Sequence, residues 1–216
     1  MIFDPETLDR RTLHGLLTGL ILPRPIAWVS TVSADGQPNL APFSYFNAFS
    51  AVPPVVAIGP GSRKGVNKDT LRNVRETGEF VVSVVTEDLA DLCNATSAEF
   101  GPEVSEWDAF GIEGTDSVEV APQRVAASPA AFECRVMQIV DLSEGDQRSN
   151  AIVIGRVLRI HVDDAALDGT KPRSEVLRLV GRMGGREWCR TRDTFEMIRP
   201  SSTDPAEIRQ SLEANE

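Results

Sequence analysis

The sequence predicts a mainly β fold with peripheral helices, its antiparallel strands closed as a barrel or packed as a sandwich. Three observations carry this expectation. Short apolar or partly alternating runs recur at 26–32, 37–43, 55–59, 79–85, 131–140 and 150–162. The chain holds 16 Gly and 14 Pro in 216 residues, which implies many turns. Alternating strand–helix units are missing, which argues against a doubly wound sheet.

Along the chain, Asp4-Pro5-Glu6 reads as a helix start, and Leu8, Leu13, Leu16 and Leu17 follow on an amphipathic helix within 1–19 that packs on a body, with Gly19 near its end. Pro23 and Pro25 forbid a regular strand interior. Ile26 to Val32 reads as a strand, Ser33-Ala34-Asp35-Gly36 as a turn, and Gln37 to Phe43 as the returning strand, weakened by Pro38 and Pro42. Residues 44–50 are aromatic-rich and polar at once. Val55 to Gly59 suits a buried strand, 60–67 a loop, and 68–78 a helix stopped by Gly78. After a strand at 79–85 comes a long excursion, 86–116, with helical turns and apolar anchors at Leu89, Leu92, Phe100, Trp107 and Phe110. Two more strands flank a polar turn at 143–148, with Gly155 as a bulge in the second. A short helix near 174–179, an Arg/Gly-rich segment and a polar tail from Pro200 complete the chain. Nothing divides it, so one domain is expected over 1–216, with a helical segment at 1–19 and the tail at 200–216.

A net charge of −10 disfavours nucleic acid and anionic membranes as partners. The cysteines, Cys93, Cys134 and Cys189, form no CxxC pair, and with two distant histidines, His14 and His161, they leave no metal site to expect. The lack of a leader or an uncharged apolar span leads to the expectation of a cytoplasmic protein with reduced thiols. A hydrolase is disfavoured by the missing G-x-S-x-G and the isolated histidines. Gly59-Pro60-Gly61 is no dinucleotide fingerprint.

Three clusters remain. Ser62-Arg63-Lys64-Gly65-Val66-Asn67-Lys68-Asp69-Thr70 gathers a hydroxyl, cations, a glycine and a helix N-terminus, which suits a phosphate; the same string fits a solvated loop with an Asp or Asn cap. Asn39 to Ser50 offers an apolar slot with directed polar groups at Ser44 and Asn47, yet Phe46 and Phe49 fit a barrel core as well. Arg178 to Trp188 brings arginines and adjacent glycines together. Those arginines can meet an anionic cofactor or pair with the chain's carboxylates, and Trp188 can stack on a ring or bury in a dimer seam.

Taken together, Arg24-Pro25, Trp28-Val29-Ser30-Thr31, Asn39-Leu40-Ala41-Pro42-Phe43-Ser44, Phe46-Asn47, Lys68-Asp69-Thr70, Thr77-Gly78-Glu79-Phe80-Val81, Gly155-Arg156-Val157 and Arg182-Met183-Gly184-Gly185 resemble, in order and spacing over about 20–195, the flavin reductase-like proteins, including the flavoredoxin type. The resemblance implies a split β-barrel, FMN bound near the interface of a homodimer, and hydride transfer from NADH or NADPH to flavin N5. It places Thr31, Ala41, Pro42, Phe43, Ser44 and Asn47 along the flavin, with Ser44 and Asn47 as electrostatic tuners, and Ser62, Arg63 and Lys68 on the phosphate side. Arg182, Gly184, Gly185 and Trp188 fall near the pocket, Trp188 where many relatives carry Tyr. No catalytic acid, base or nucleophile is implied. Reduced flavin would pass to a partner oxygenase or another acceptor. The alternatives are a tightly bound FMN electron carrier, an FMN enzyme with another organic substrate, and a non-enzymatic FMN-binding protein.

Overall fold

The computed structural model describes residues 1–63, 66–101, 103–142 and 150–213, with backbone alone at 62–63, 66–67 and 211–213. The expected polar turn at 143–148 therefore lies outside the described residues.

Helix α1 (Arg10–Leu20) begins later than the Asp4-Pro5-Glu6 start suggests. Asp4 caps only a 3-10 turn at Pro5–Thr7. Asp9 is the true N-cap, accepting the backbone N–H of Arg11 at 2.9 Å and of Thr12 at 3.1 Å. Gly19 is the penultimate residue of the helix, near its end as expected. The expected packing on a body is slight: Thr18 alone is buried, while Leu17, Leu20, Ile21 and Leu22 are exposed.

The strands that follow are β1 (Arg24–Pro25), β2 (Ala27–Val32), β3 (Pro38–Phe43), β4 (Phe46–Ala51) and β5 (Pro54–Ile58). Next come α2 (Asp69–Thr77), β6 (Glu79–Val84), α3 (Ala90–Ala95) and α4 (Glu106–Phe110). The long β7 (Ala130–Asp141) and β8 (Ala151–Val162) precede α5 (Ser174–Leu177), β9 (Val180–Arg182), β10 (Trp188–Arg190) and α6 (Pro205–Glu213). The polar tail thus contains a helix that the sequence did not announce.

Seven strands form one antiparallel sheet in the order β3-β2-β6-β7-β8-β5-β4, and β1, β9 and β10 form a second. Both weakening prolines, Pro38 and Pro42, fall on β3, which pairs only with β2; at an edge a missing N–H costs little. The other edge, β4, escaped the sequence reading. Its last five positions are exposed and a register shift falls between Ala48 and Ser50, so no buried face marks it as a strand.

The sheet curls because its two ends share one interior. Val29 and Phe43 from β2 and β3 pack in the same cluster as Val56 and Ile58 from β5, with Phe80, Val82, Cys134 and Val153 between them. Leu71 and Val74 of α2 enter that cluster, and Gly78, at φ 72°, ends the helix as expected. Trp28 of β2 and Ile26 just before that strand face the other way, into a second cluster completed by the 86–116 excursion through Leu89, Cys93, Trp107 and Ile112. There the Trp28 indole N–H donates to Thr96 Oγ1 at 2.9 Å.

Gly155 is not the bulged residue. Two irregularities interrupt the pair instead: Leu158 of β8 is left over between Glu133–Arg159 and Cys134–Val157, and Met137 of β7 between Val136–Gly155 and Gln138–Ile154. Gly155 is needed for space, because a Cβ there would stand 2.4 Å from Phe80 Cζ. Cys93 and Cys134 are buried, and desolvation pushes the Cys93 thiol up to about 12.

Glu133, fully buried, clamps the outer loop. It accepts the backbone N–H of Val118 at 2.8 Å and of Glu119 at 2.6 Å, and His161 Nε2 lies 2.6 Å away. Burial raises its pKa, but the two amides and His161 outweigh that and leave the carboxyl below its ordinary value.

Two outcomes follow. Gly155→Ala should cost about 1–3 kcal/mol by overpacking against Phe80, read from denaturant midpoints, with part of the loss restored in Gly155→Ala/Phe80→Leu. Because the folded Glu133 pKa is depressed, its contribution is complete above the ordinary carboxyl value and disappears as pH falls through the folded one. Glu133→Gln should therefore be less stable than the parent at neutral pH, with the gap closing in acid; a gap independent of pH would show that ionisation does not matter there.

Candidate functional site

The turn between β3 and β4 organises the site. Phe43 points into the barrel, Ser44 is half-buried, Tyr45 is exposed, and Phe46 packs back on the interior. Tyr45 O accepts the Gly59 N–H at 2.7 Å, which pins the turn to the end of β5. Ala41 and Pro42 are half-buried on β3. Asn47 is exposed at the free edge, where its Oδ1 accepts the Ala48 N–H at 2.8 Å.

On one side of this turn stands the start of α2. Lys68 is the residue before the helix, and its Nζ lies 5.4 Å from the Phe43 ring centroid. Among the described residues no side chain caps this N-terminus. Asp69 instead pairs with Arg72 at 2.6 Å, so the cap alternative held open for an Asp does not apply to it. Ser62 and Arg63 pair in backbone with Asn67 and Val66, a short hairpin leading into the helix; their side chains, with Lys64 and Gly65, lie outside the described residues.

On the other side stands Arg24, which is buried. Its Nη1 donates to Thr18 O at 2.5 Å and Ile21 O at 2.8 Å, its Nη2 to Met183 O at 2.9 Å, and its Nε to Ser44 Oγ at 3.3 Å. One guanidinium thereby ties the end of α1, the β9–β10 hairpin and the β3–β4 turn together. Arg182 faces Arg24 across the β1–β9 pair. It donates to Glu187 O at 2.7 Å and Gly185 O at 2.6 Å and lies 5.6 Å from the Trp188 ring. Burial, then the charge of Arg24, lowers the Arg182 pKa. Gly185 has φ 57°, and a Cβ on Gly184 would come within 3.3 Å of Gly19 Cα, so both glycines answer backbone demands. Trp188 is half-buried against the second cluster. A cavity of about 460 Å³ opens between α1, Arg24, Ser44, Tyr45 and Arg182.

Thr31 is elsewhere. It is buried inside a polar knot, where its Oγ1 accepts from Asn39 Nδ2 at 3.3 Å and Asn73 Nδ2 at 3.1 Å, while Asn39 also donates to Thr70 Oγ1 at 3.0 Å. The structure thus brings Phe43 to Lys68 and Ser44 to the Arg182–Gly185 cavity, and buries the Thr31 side chain behind them. The sequence singled out neither Arg11 and His14, which line the cavity from α1, nor Arg24 as a hub. The spacing of Arg11, His14 and Thr18 on one helix face was readable; the Arg24–Arg182 pairing joins distant segments and carried no local signal.

Comparison with known proteins now settles the family. The profile for the flavin reductase like domain matches residues 19–177. The chain belongs to the flavin reductase-like family. Its fold is that family's FMN-binding split barrel. It is 31% identical to nitrilotriacetate monooxygenase component B from Bacillus cereus, covering 91% of this chain and 98% of that one at a TM-score of 0.88. It is 29% identical to the 2-nitrobenzoate 2-nitroreductase NbaA of Pseudomonas fluorescens, over 95% and 100% of the two chains, at a TM-score of 0.85. An uncharacterised protein from Deinococcus radiodurans is 41% identical over 207 residues, 91% of this chain and 88% of its own. Among the described residues no helix is long and apolar enough to cross a membrane.

Removing the acceptor in the polar knot tests what Thr31 does. Thr31→Val leaves two buried amides short of a partner and should cost about 1–3 kcal/mol in denaturant unfolding. Unchanged stability with weakened FMN binding would instead place Thr31 in contact with the cofactor.

Proposed function

We propose that this protein is an NAD(P)H-dependent flavin reductase that binds FMN at the β3–β4 turn and works as a homodimer. The observation that carries the reading is the arrangement around Phe43 and Ser44. An aromatic wall and a half-buried hydroxyl lie between a helix start marked by Lys68 and a cavity marked by Arg24 and Arg182. This donor set fits FMN: its phosphate calls for cations and free backbone N–H groups, and its ring for an apolar slot with directed polar atoms.

When bound, FMN supplies an N5 that accepts hydride from the nicotinamide. The chain's own residues bind and align. Lys68 and the backbone N–H groups of the first turn of α2 hold the phosphate, with Ser62 and Arg63 beside them in sequence. Arg24 fixes Ser44 Oγ as an acceptor, which leaves the Ser44 hydroxyl proton to be donated towards the ring. Asn47 presents its amide at the free edge, and Arg182 adds positive potential on the far side. Hydride transfer needs two rings held in register more than it needs a proton donor.

The dimer is supported by the open side of β4. Phe49 on β4 is 69% exposed and Val52, in the turn after it, 92% exposed, and the strand has no second partner among the described residues. A second copy would cover both the apolar groups and the unpaired edge. The similarity to a 2-nitrobenzoate nitroreductase supports a second reading, in which FMN stays bound and an organic substrate receives the electrons.

A titration with FMN, followed anaerobically by NADH and then NADPH, tests the proposal. Binding with rapid loss of the oxidised-flavin band under one nucleotide is expected; binding without that loss would overturn the reductase reading in favour of the second. In the same assay Lys68→Ala should weaken FMN by roughly tenfold while hardly changing riboflavin, because only FMN carries the phosphate. Equal weakening of both would remove Lys68 from the phosphate site.

A further inference from the structure

The cavity beside Ser44 holds more positive charge than the fold uses. Arg11, His14 and Thr18 line it from one face of α1, and Arg24 and Arg182 from the β1–β9 pair opposite. Directly opposed like charges in an antiparallel pair are destabilising, and buried charges are ordinarily matched. Here, among the described residues, no carboxylate pairs with Arg11, Arg24 or Arg182, in a chain whose net charge is −10. Asp9, the nearest acid in sequence to Arg11, is engaged by the α1 backbone and by Thr12 Oγ1 at 2.6 Å.

The arginines differ in what they have left to give. Arg24 spends four of its five N–H groups on three carbonyls and Ser44, so it is chiefly a fixed charge. Arg182 spends one N–H of each terminal nitrogen on carbonyls and keeps Nε–H among its free donors. The Arg11 side chain makes no hydrogen bond to a described residue and stands at the rim. Other arginines of this region behave otherwise: Arg178, Arg190 and Arg192 all converge on Glu87.

We infer that this cavity is a binding site for the oxyanion group, carboxylate or phosphate, of a small organic acid, held by Arg11 and Arg182 over the fixed charge of Arg24, with its uncharged part directed along Tyr45 and Ser44. At about 460 Å³ the space suits a single-ring acid rather than a bare ion. The inference rests on the flavin assignment for its role: an acid anchored here would extend towards the Ser44 edge and be placed as the oxidant or reductant of the bound flavin. The cavity's charge stands independently of that assignment.

Calorimetric titration of the protein, with and without FMN, using benzoate, phenyl phosphate and the neutral isostere benzamide, tests it. At least one charged probe should bind roughly tenfold more tightly than benzamide, and the tighter of the two names the natural group. Arg11→Gln and Arg182→Gln should each erase most of that preference while leaving benzamide unaffected. Arg11 is at the helix surface, so its variant tests the site without burdening the fold. Equal binding of charged and neutral probes, or a preference that survives both substitutions, overturns the inference. Failure of FMN to bind while benzoate or phenyl phosphate still binds through the arginines would sink the flavin assignment and spare the anion site.

Discussion

The two ends of a seven-stranded sheet must fill the same interior, and that sharing governs the rest of the molecule. Val29 and Phe43 approach from one end, Val56 and Ile58 from the other, and Phe80 occupies the middle because Gly155 leaves it room. Interiors are packed too closely for a side chain at that position to be absorbed cheaply. Once Phe43 is committed inwards, Ser44 and Tyr45 must turn at the barrel's mouth and β4 must run out along an edge. The candidate site is thus where the shared interior ends and the chain reverses.

Polar interactions then divide into those that hold the barrel and those that line the cavity beside Ser44. The Thr31, Asn39, Thr70 and Asn73 knot is satisfied from within. Glu87 is half-buried, and contacts with Arg190 first and Arg178 next hold its pKa down to about 2; with Arg192 they fasten the end of β10 and the residue after α5 to the 3-10 turn at Glu87–Leu89. Arg24 uses its charge on the carbonyl end of α1, where a helix dipole welcomes a cation. The arginines that sequence alone left undecided between cofactor and carboxylates therefore take separate parts: Arg178 joins acids, and Arg182 does not.

Much of the barrel was readable because central strands such as β2 and β6 are short apolar runs buried on both faces. β2 and β6 alternate between two clusters, and Gly78 ends α2 where a left-handed residue is needed. β4 was not readable, since an exposed edge strand has no inside to pattern against. Gly155 was noticed for the wrong reason: a glycine in a strand signals either a bulge or a close neighbour, and only the register shows that Met137 and Leu158 are the extra residues. At the site, Lys68 was visible from its place before a helix. The role of Arg24 was not, because its partners lie on α1, on the β3–β4 turn and on a hairpin far along the chain.

Helix α1 gives the fold one buried side chain and gives the cavity three of its lining side chains. The barrel's stability is thus largely indifferent to what stands at Arg11 and His14, while the contents of the cavity are not. A lineage carrying this architecture can change the chemistry it admits by drift along an exposed helix, without first acquiring a compensating change in the interior. Diversification at this position needs no intermediate that folds poorly.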